Sequence, residues 1–212
     1  MVDVTERMAA FGVVPVVEIR DAAWALPLAD ALSAGGLPLA EVTFRTAAAE
    51  EAIRILARER PGFLVGAGTV LTRENLRCAV DAGAAFGVAP GLNPEIVQAA
   101  REAGLPFLPG VATPSEIERG LALGCRLLKF FPAEALGGVR LLTAFAGPYR
   151  HMGVRFMPTG GINAGNLSDY LRLPTVTAVG GTWLAKAEDM ERGDWAAVTE
   201  RCRAARQIAE AV

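Results

Sequence analysis

The residue of this chain best suited to covalent chemistry is a lysine set inside an apolar run. In Leu127-Leu128-Lys129-Phe130-Phe131-Pro132-Ala133-Glu134 the side chain of Lys129 has hydrophobic neighbours on both sides. Burying an ammonium is costly, and apolar surroundings favour the neutral amine. The chain holds 21 lysines and arginines together, and only Lys129 and Lys186 are lysines. Arginine carries charge but does not become a neutral nucleophile, so a lysine at 129 points to amine chemistry. The competing reading is a lysine whose stem lies along apolar surface and whose charge snorkels to the rim of the fold.

Amine chemistry needs a proton carrier, and few are on offer. The only histidine, His151, falls in the polar stretch Tyr149-Arg150-His151-Met152-Gly153, which reads as a solvated loop. Glu41 is the better general acid or base. It belongs to Leu39-Ala40-Glu41-Val42-Thr43-Phe44-Arg45, where a strand period of two places Glu41, Thr43 and Arg45 on one face. Arg45 is then free to hold a substrate carboxylate through two parallel hydrogen bonds. An internal ion pair that only holds the fold together is the structural alternative.

A third group of residues suits an anion. Pro158-Thr159-Gly160-Gly161-Ile162-Asn163 and Val179-Gly180-Gly181-Thr182-Trp183-Leu184 each follow a strand signal. Glycines let backbone N–H groups approach an anion closely, and helix N-termini favour one.

The elements that must position these groups alternate. After a short amphipathic helix over 2–10, strands are expected at 13–19, 39–45, 63–68, 85–89, 105–109, 127–130, 154–158 and 176–179. Helices are expected between and after them at 22–33, 48–60, 73–82, 94–103, 114–123, 139–146, 164–171 and 194–211, with Asp21 as a cap and Gly35-Gly36 and Pro61-Gly62 as stops. Short apolar strands alternating with helices imply a parallel sheet covered by helices. Eight such units favour an α/β fold of one (β/α)8 TIM barrel with a short N-terminal helix, a single domain over 1–212. Gly68-Thr69, Pro90-Gly91, Phe131-Pro132, Thr159-Gly160-Gly161 and Gly181-Thr182 all end strands. In a barrel they share the C-terminal face, where active sites are built and where the seventh and eighth loops often hold a phosphate.

Composition bounds the rest. A chain of 212 residues, 52% hydrophobic with 7% aromatics, is enough for one globular domain of Ala, Val and Leu core. A net charge of −2 offers no basic field for nucleic acid or acidic membrane. Cys78, Cys125 and Cys202 are odd in number and far apart, which fits reduced thiols in a cytoplasmic protein and neither a disulfide framework nor a metal site. The first ten residues lack a signal peptide's apolar core, and no apolar run reaches membrane-spanning length.

Taken together, Glu41-Val42-Thr43-Phe44-Arg45-Thr46, Val65-Gly66-Ala67-Gly68-Thr69-Val70-Leu71, Pro90-Gly91, Lys129-Phe130-Phe131-Pro132-Ala133-Glu134 and Phe156-Met157-Pro158-Thr159-Gly160-Gly161 make the chain resemble the class I 2-keto-3-deoxy-6-phosphogluconate (KDPG) and 4-hydroxy-2-oxoglutarate aldolases over nearly its whole length. The resemblance implies that Lys129 forms a Schiff base and Glu41 shuttles protons. It implies that Arg45 and Thr69 bind the pyruvyl portion, that Pro90 and Phe131 line the substrate site, and that Thr159 contributes to stereochemical choice. Gly160, Gly161, Gly181 and Thr182 match a phosphate site. No cofactor or metal is implied; the partners are a phosphorylated keto acid and pyruvate, and the family is typically a homotrimer. Thr182 stands where some members carry Ser, which keeps the hydroxyl, and Glu18 is an added acid near the mouth.

Rival expectations are an aldolase for 4-hydroxy-2-oxoglutarate or a galactonate-derived phosphosugar acid with the same lysine, a phosphate-binding barrel isomerase or synthase with no covalent step, and a catalytically dead barrel that binds a metabolite.

Overall fold

The computed structural model describes residues 4–212. A helix α1 (Val4–Phe11) precedes strand β1 (Val13–Val17); the expected start of that helix at position 2 lies outside the described residues. A 3-10 turn (Ala22–Trp24) leads into α2 (Ala25–Ala34), followed by β2 (Leu39–Thr43), α3 (Ala49–Glu59), β3 (Leu64–Gly68), α4 (Arg73–Asp81), β4 (Gly87–Val88) and α5 (Pro94–Glu102). The second half holds β5 (Phe107–Leu108), β6 (Gly110–Val111), α6 (Pro114–Ala122), β7 (Leu127–Phe130), α7 (Ala133–Leu136), α8 (Gly138–Tyr149), β8 (Arg155–Pro158), α9 (Leu167–Leu171), β9 (Val179–Gly181), α10 (Ala187–Arg192) and α11 (Trp195–Glu210).

Every strand pairing is parallel, as the βα alternation requires. One sheet runs β5-β4-β3-β2-β1-β9 and the other β6-β7-β8. The sheets meet twice: β5 and β6 are one stretch of chain interrupted at Pro109, and isolated parallel bridges Phe156↔Val176 and Thr159↔Gly180 tie β8 to the segment that becomes β9. The result is the α/β fold with a curled parallel sheet, in which the single fifth strand expected over 105–109 is two short pieces. Proline has no N–H for the ladder, and the chain changes partner across it, β5 pairing with β4 and β6 with β7.

Local chemistry explains most boundaries. Thr72 and Asn93 each accept a backbone N–H at the start of a helix, at 3.0 Å. Thr113 accepts from the Glu116 N–H at 3.3 Å while the Glu116 carboxylate accepts from the Ala112 N–H at 2.8 Å, a reciprocal lock on the start of α6. Helix α9 begins at Leu167 and not at 164, because Asn163 and Asn166 spend their side chains on the backbone N–H groups of Gly165 and Asn163 and hold a turn. The last strand sits later than the expected 176–179. Val176 only bridges β8, and the ladder to β1 starts at Val179 and continues through two glycines, residues that strand propensity disfavours.

Glycines within strands make room for rings on the next strand. A Cβ on Gly66 would lie 2.2 Å from the Phe86 ring, and one on Gly87 would lie 2.7 Å from Phe107. The core is mostly Val, Leu, Ile and Ala with Phe86, Phe130 and Phe156 among its largest members; Glu41, Thr43 and Lys129 are its polar residues on the strands, and Thr159 lies just past β8.

Candidate active site

Glu41 is central on β2, whose neighbours are β1 and β3, in register Val16↔Glu41 and Glu41↔Gly66. Lys129 is on β7, beside Gly110 and Met157. Both side chains turn inward and meet: Lys129 Nζ lies 3.0 Å from Glu41 Oε1 and 3.5 Å from Oε2. The Glu41 side chain has no exposure and that of Lys129 has 7%. Lys129 Nζ also stands 5.5 Å from the centroid of the Phe131 ring, within reach of its π face. Glycine at 68 is what lets the carboxylate lie where it does, because a Cβ there would come within 2.3 Å of Glu41 Oε1.

Thr43 shares the inward face and donates to the Val17 carbonyl at 3.0 Å. Arg45 does not follow it, which corrects the shared-face expectation. The strand ends at Thr43, residues 44 and 45 turn with the Arg45 N–H on the Thr43 carbonyl at 2.8 Å, and the Arg45 side chain is exposed. A period of two has no meaning once the strand has ended. The turn leaves Arg45 on the wall of a cleft of about 240 Å³ with Thr43, Thr182, Glu18, Arg20 and Lys186. Glu18 pairs with Arg20 at 3.4 Å, and Arg20 reaches Glu191 at 2.6 Å. A larger hollow of about 520 Å³ opens by Pro106, Arg126 and Leu127, at the opposite, N-terminal ends of the strands. It contains none of the candidate site residues.

Thr159 is buried at the end of β8, and its Oγ1 lies where a Cβ on Gly180 would come within 2.1 Å. The parallel bridge Thr159↔Gly180 sets the two glycine loops side by side, Gly160-Gly161 after one partner and Gly181-Thr182 after the other. Gly160 and Gly161 have φ of +102° and +79°, a region open to glycine and costly for other residues. Gly181 is buried and Thr182 exposed, so a hydroxyl faces the solvent side of the cleft.

Thr69 follows Gly68 directly and is the only non-glycine residue among those described with positive φ, at +57°. Such a conformation costs of order 1–3 kcal/mol and persists where surrounding structure imposes it, commonly at sites. Its N-terminal neighbour packs on Glu41, and its C-terminal neighbour Val70 is bonded through its N–H to the Val88 carbonyl at 3.1 Å. Pro90, half-buried, lies across from Val70 and Leu71 in a shallow apolar groove. His151 is exposed in a 3-10 turn (Arg150–Met152), and Lys186 is exposed, so Lys129 is the one buried lysine.

Sequence reasoning missed Arg20 and Lys186 on the cleft and also the buried Asp189, which holds Arg192 at 2.6 Å and Arg201 by a second ion pair. In Ala187-Glu188-Asp189 the acids read as solvated charge, and only Arg201, the seventh residue of α11, would have betrayed the pairing. Among the described residues no cluster of His, Cys, Asp and Glu is arranged to hold a metal, and no helix is long and apolar enough to cross a membrane.

A buried lysine facing a buried carboxylate inside a parallel βα sheet, beneath the loops at the C-terminal ends of its strands, defines a site for amine-based carbonyl chemistry. A profile of the KDPG and KHG aldolase family matches residues 4–201, and the chain belongs to that family. It is 45% identical over 192 residues to the 2-dehydro-3-deoxy-phosphogluconate aldolase of Haemophilus influenzae, covering 91% of this chain and 90% of the relative. It is 47% identical over 193 residues to the KHG/KDPG aldolase of Escherichia coli K12, with the same coverage. A crystal structure of KDPG aldolase from Legionella pneumophila, with pyruvate captured as a covalent carbinolamine, is 43% identical and superposes with a TM-score of 0.90 over 94% of this chain and 96% of that one.

Proposed function

We propose that this protein is a class I aldolase that cleaves 2-dehydro-3-deoxy-6-phosphogluconate to pyruvate and glyceraldehyde 3-phosphate through an imine on Lys129. The observation that carries the reading is the enclosed 3.0 Å contact between Lys129 Nζ and Glu41, among the described residues the one place where an amine and a proton carrier are held together out of water. The carbinolamine captured in the Legionella relative supports the covalent route.

The neutral amine of Lys129 attacks the C2 ketone; with a proton taken up from water, loss of water from the carbinolamine gives a protonated imine. Glu41, directly or through a water, takes the proton of the C4 hydroxyl. The C3–C4 bond breaks, its electrons move into the imine, glyceraldehyde 3-phosphate leaves and an enamine remains. Protonation at C3 and addition of water return pyruvate and the amine. Arg45 and Thr69 hold the pyruvyl carboxylate, Pro90 and Phe131 line that pocket, and Thr159 orders the face presented to the aldehyde. Gly160, Gly161, Gly181 and Thr182 receive the phosphate.

The E. coli relative's name, KHG/KDPG aldolase, supports a second substrate, 4-hydroxy-2-oxoglutarate, on the same lysine. In that case the cations Arg20, Arg45 and Lys186 around one cleft serve two carboxylates. The reading further takes 1–212 as one domain of a cytoplasmic homotrimer. Leu71, 53% exposed beside Leu92 and Phe107, supports a contact between copies.

The deciding experiment is incubation with pyruvate and borohydride followed by intact mass and peptide mapping. A reduced pyruvyl adduct on Lys129 is expected, absent in Lys129→Arg, which keeps its fold and loses turnover. An adduct on Lys186, or none on folded protein, overturns the assignment.

A further inference from the structure

One residue shortly after the Schiff-base strand has no part in the chemistry above, yet it is packed against the phosphate loop. It is Glu134, in the first turn of α7. Its N–H donates to the Gly160 carbonyl at 3.1 Å, and the N–H of Ala133 donates to the Thr159 carbonyl at 2.8 Å. From the other side, the Thr159 N–H donates to the Phe130 carbonyl at 2.9 Å. The end of β7 and the loop after β8 are thus laced together by backbone bonds.

The side chain completes the lacing. A Cβ built on Gly161 would lie 2.6 Å from Glu134 Cβ and 2.8 Å from its Cγ, so the loop's second glycine rests on the stem of Glu134. The carboxylate accepts a short hydrogen bond from the hydroxyl of Tyr170, a fully buried residue of α9, the helix that the same loop feeds. Gly138 closes the pair off: a Cβ there would lie 2.8 Å from Glu134 Oε1 and 3.1 Å from the Tyr170 oxygen. Burial first, and then the bond to Glu134, raise the Tyr170 phenol above its ordinary range, so it remains a donor across the working pH range.

We propose that Glu134 and Tyr170 are positioning residues that hold the Gly160-Gly161 loop in its anion-receiving shape, and that they govern capture of the phosphate end of the substrate while leaving imine formation on Lys129 alone. The proposal rests on the reading of the Gly160-Gly161 loop as the phosphate site. A loop whose glycines have φ of +102° and +79° has many alternative shapes to lose on binding, and a fixed stem under Gly161 removes them beforehand.

The test is steady-state kinetics of Tyr170→Phe and Glu134→Gln with the phosphorylated substrate and with its unphosphorylated analogue, 2-keto-3-deoxygluconate, alongside borohydride trapping of pyruvate. Expected is a rise in KM for the phosphorylated substrate of about tenfold, which corresponds to about 1.4 kcal/mol, with less than a twofold change in KM for the analogue and undiminished trapping on Lys129. Inorganic phosphate as a competitive inhibitor should weaken in parallel. Equal KM changes for both substrates, or a fall in kcat with KM intact, overturn the proposal. If Tyr170→Phe fails to fold, Glu134→Gln decides alone, since it keeps shape and a hydrogen-bonding oxygen. The wild type separates the two claims. A wild type that does not trap pyruvate sinks the aldolase reading, and one that traps pyruvate but does not prefer the phosphorylated substrate sinks the phosphate site. Normal wild-type behaviour with unaltered variants sinks only the positioning role.

Discussion

Lys129 Nζ and Glu41 Oε1 lie 3.0 Å apart across 88 residues of sequence, each the other's only ion-pair partner among the described residues, in a largely apolar interior. Leaving one member of such a pair alone is costly, about 3–5 kcal/mol. The arrangement is therefore intolerant of losing either member.

Glu41→Gln tests the division of labour within this pair. The amide preserves shape and a hydrogen-bond acceptor but cannot take a proton, so pyruvate should still be trapped on Lys129 while cleavage slows by about 10²-fold or more. Single-turnover rates and trapping yields measure both halves. A folded variant that forms no adduct would give Glu41 a role in making the imine and remove the one assigned here.

The lysine, the acid and the two glycine loops were legible because each is an exception to its surroundings: a rare lysine in an apolar run, an acid in a β-branched strand, glycine pairs after strands. Arg45 shows where that reasoning stops. Its spacing from Glu41 is even, and only the turn at Phe44, set by tertiary packing, decides that it leaves the interior and lines the cleft beside Thr182. The same holds for the fifth strand, whose apolar pattern runs through Pro109 although its partners change there. The Glu134–Tyr170 bond joins residues 36 apart that no local pattern connects.

Gly68→Ala should injure catalysis out of proportion to its size. The new methyl would press within 2.3 Å of Glu41 Oε1 and 2.7 Å of its Cγ, and either the carboxylate or the strand must move. Overpacking of this kind costs about 1–3 kcal/mol, and a carboxylate displaced by an ångström loses its line to Nζ, so kcat should fall by about 10-fold to 100-fold. Gly62→Ala is the control, since a Cβ there meets nothing within 4 Å. Equal kcat in the two variants would show that Glu41 tolerates displacement.

Thr182→Ala removes an exposed hydroxyl and little else, so the fold should be untouched. KM for the phosphorylated substrate should rise by about 10-fold to 150-fold, the worth of one hydrogen bond to a charged group at about 1.5–3 kcal/mol, and KM for the unphosphorylated analogue should change much less. Parallel kinetics with the two substrates measure the difference. The same rise with both would take Thr182 out of the phosphate site.

Stability should fall as pH rises above about 9, and Cys202 should account for part of that fall. It is fully buried in α11 against Gly35, where a Cβ would lie 2.4 Å from its own Cβ, and burial pushes its thiol from 9.0 up to about 12 against a weaker downward pull from Arg201. Below pH 9 the thiol is protonated in both states and burial leaves stability unaltered. Between about 9 and 12 the unfolded chain releases a proton that the folded chain keeps, so the free energy of unfolding declines with pH, by at most about 1.4 kcal/mol per unit for one group. The raised Tyr170 phenol has the same sign at higher pH. Urea unfolding at pH 8, 9.5 and 11 should therefore show a shallower decline for Cys202→Ala than for the wild type, whatever the offset between them at pH 8. Parallel declines would mean that the folded thiol ionises as readily as the unfolded one, and that α11 does not shield it from water.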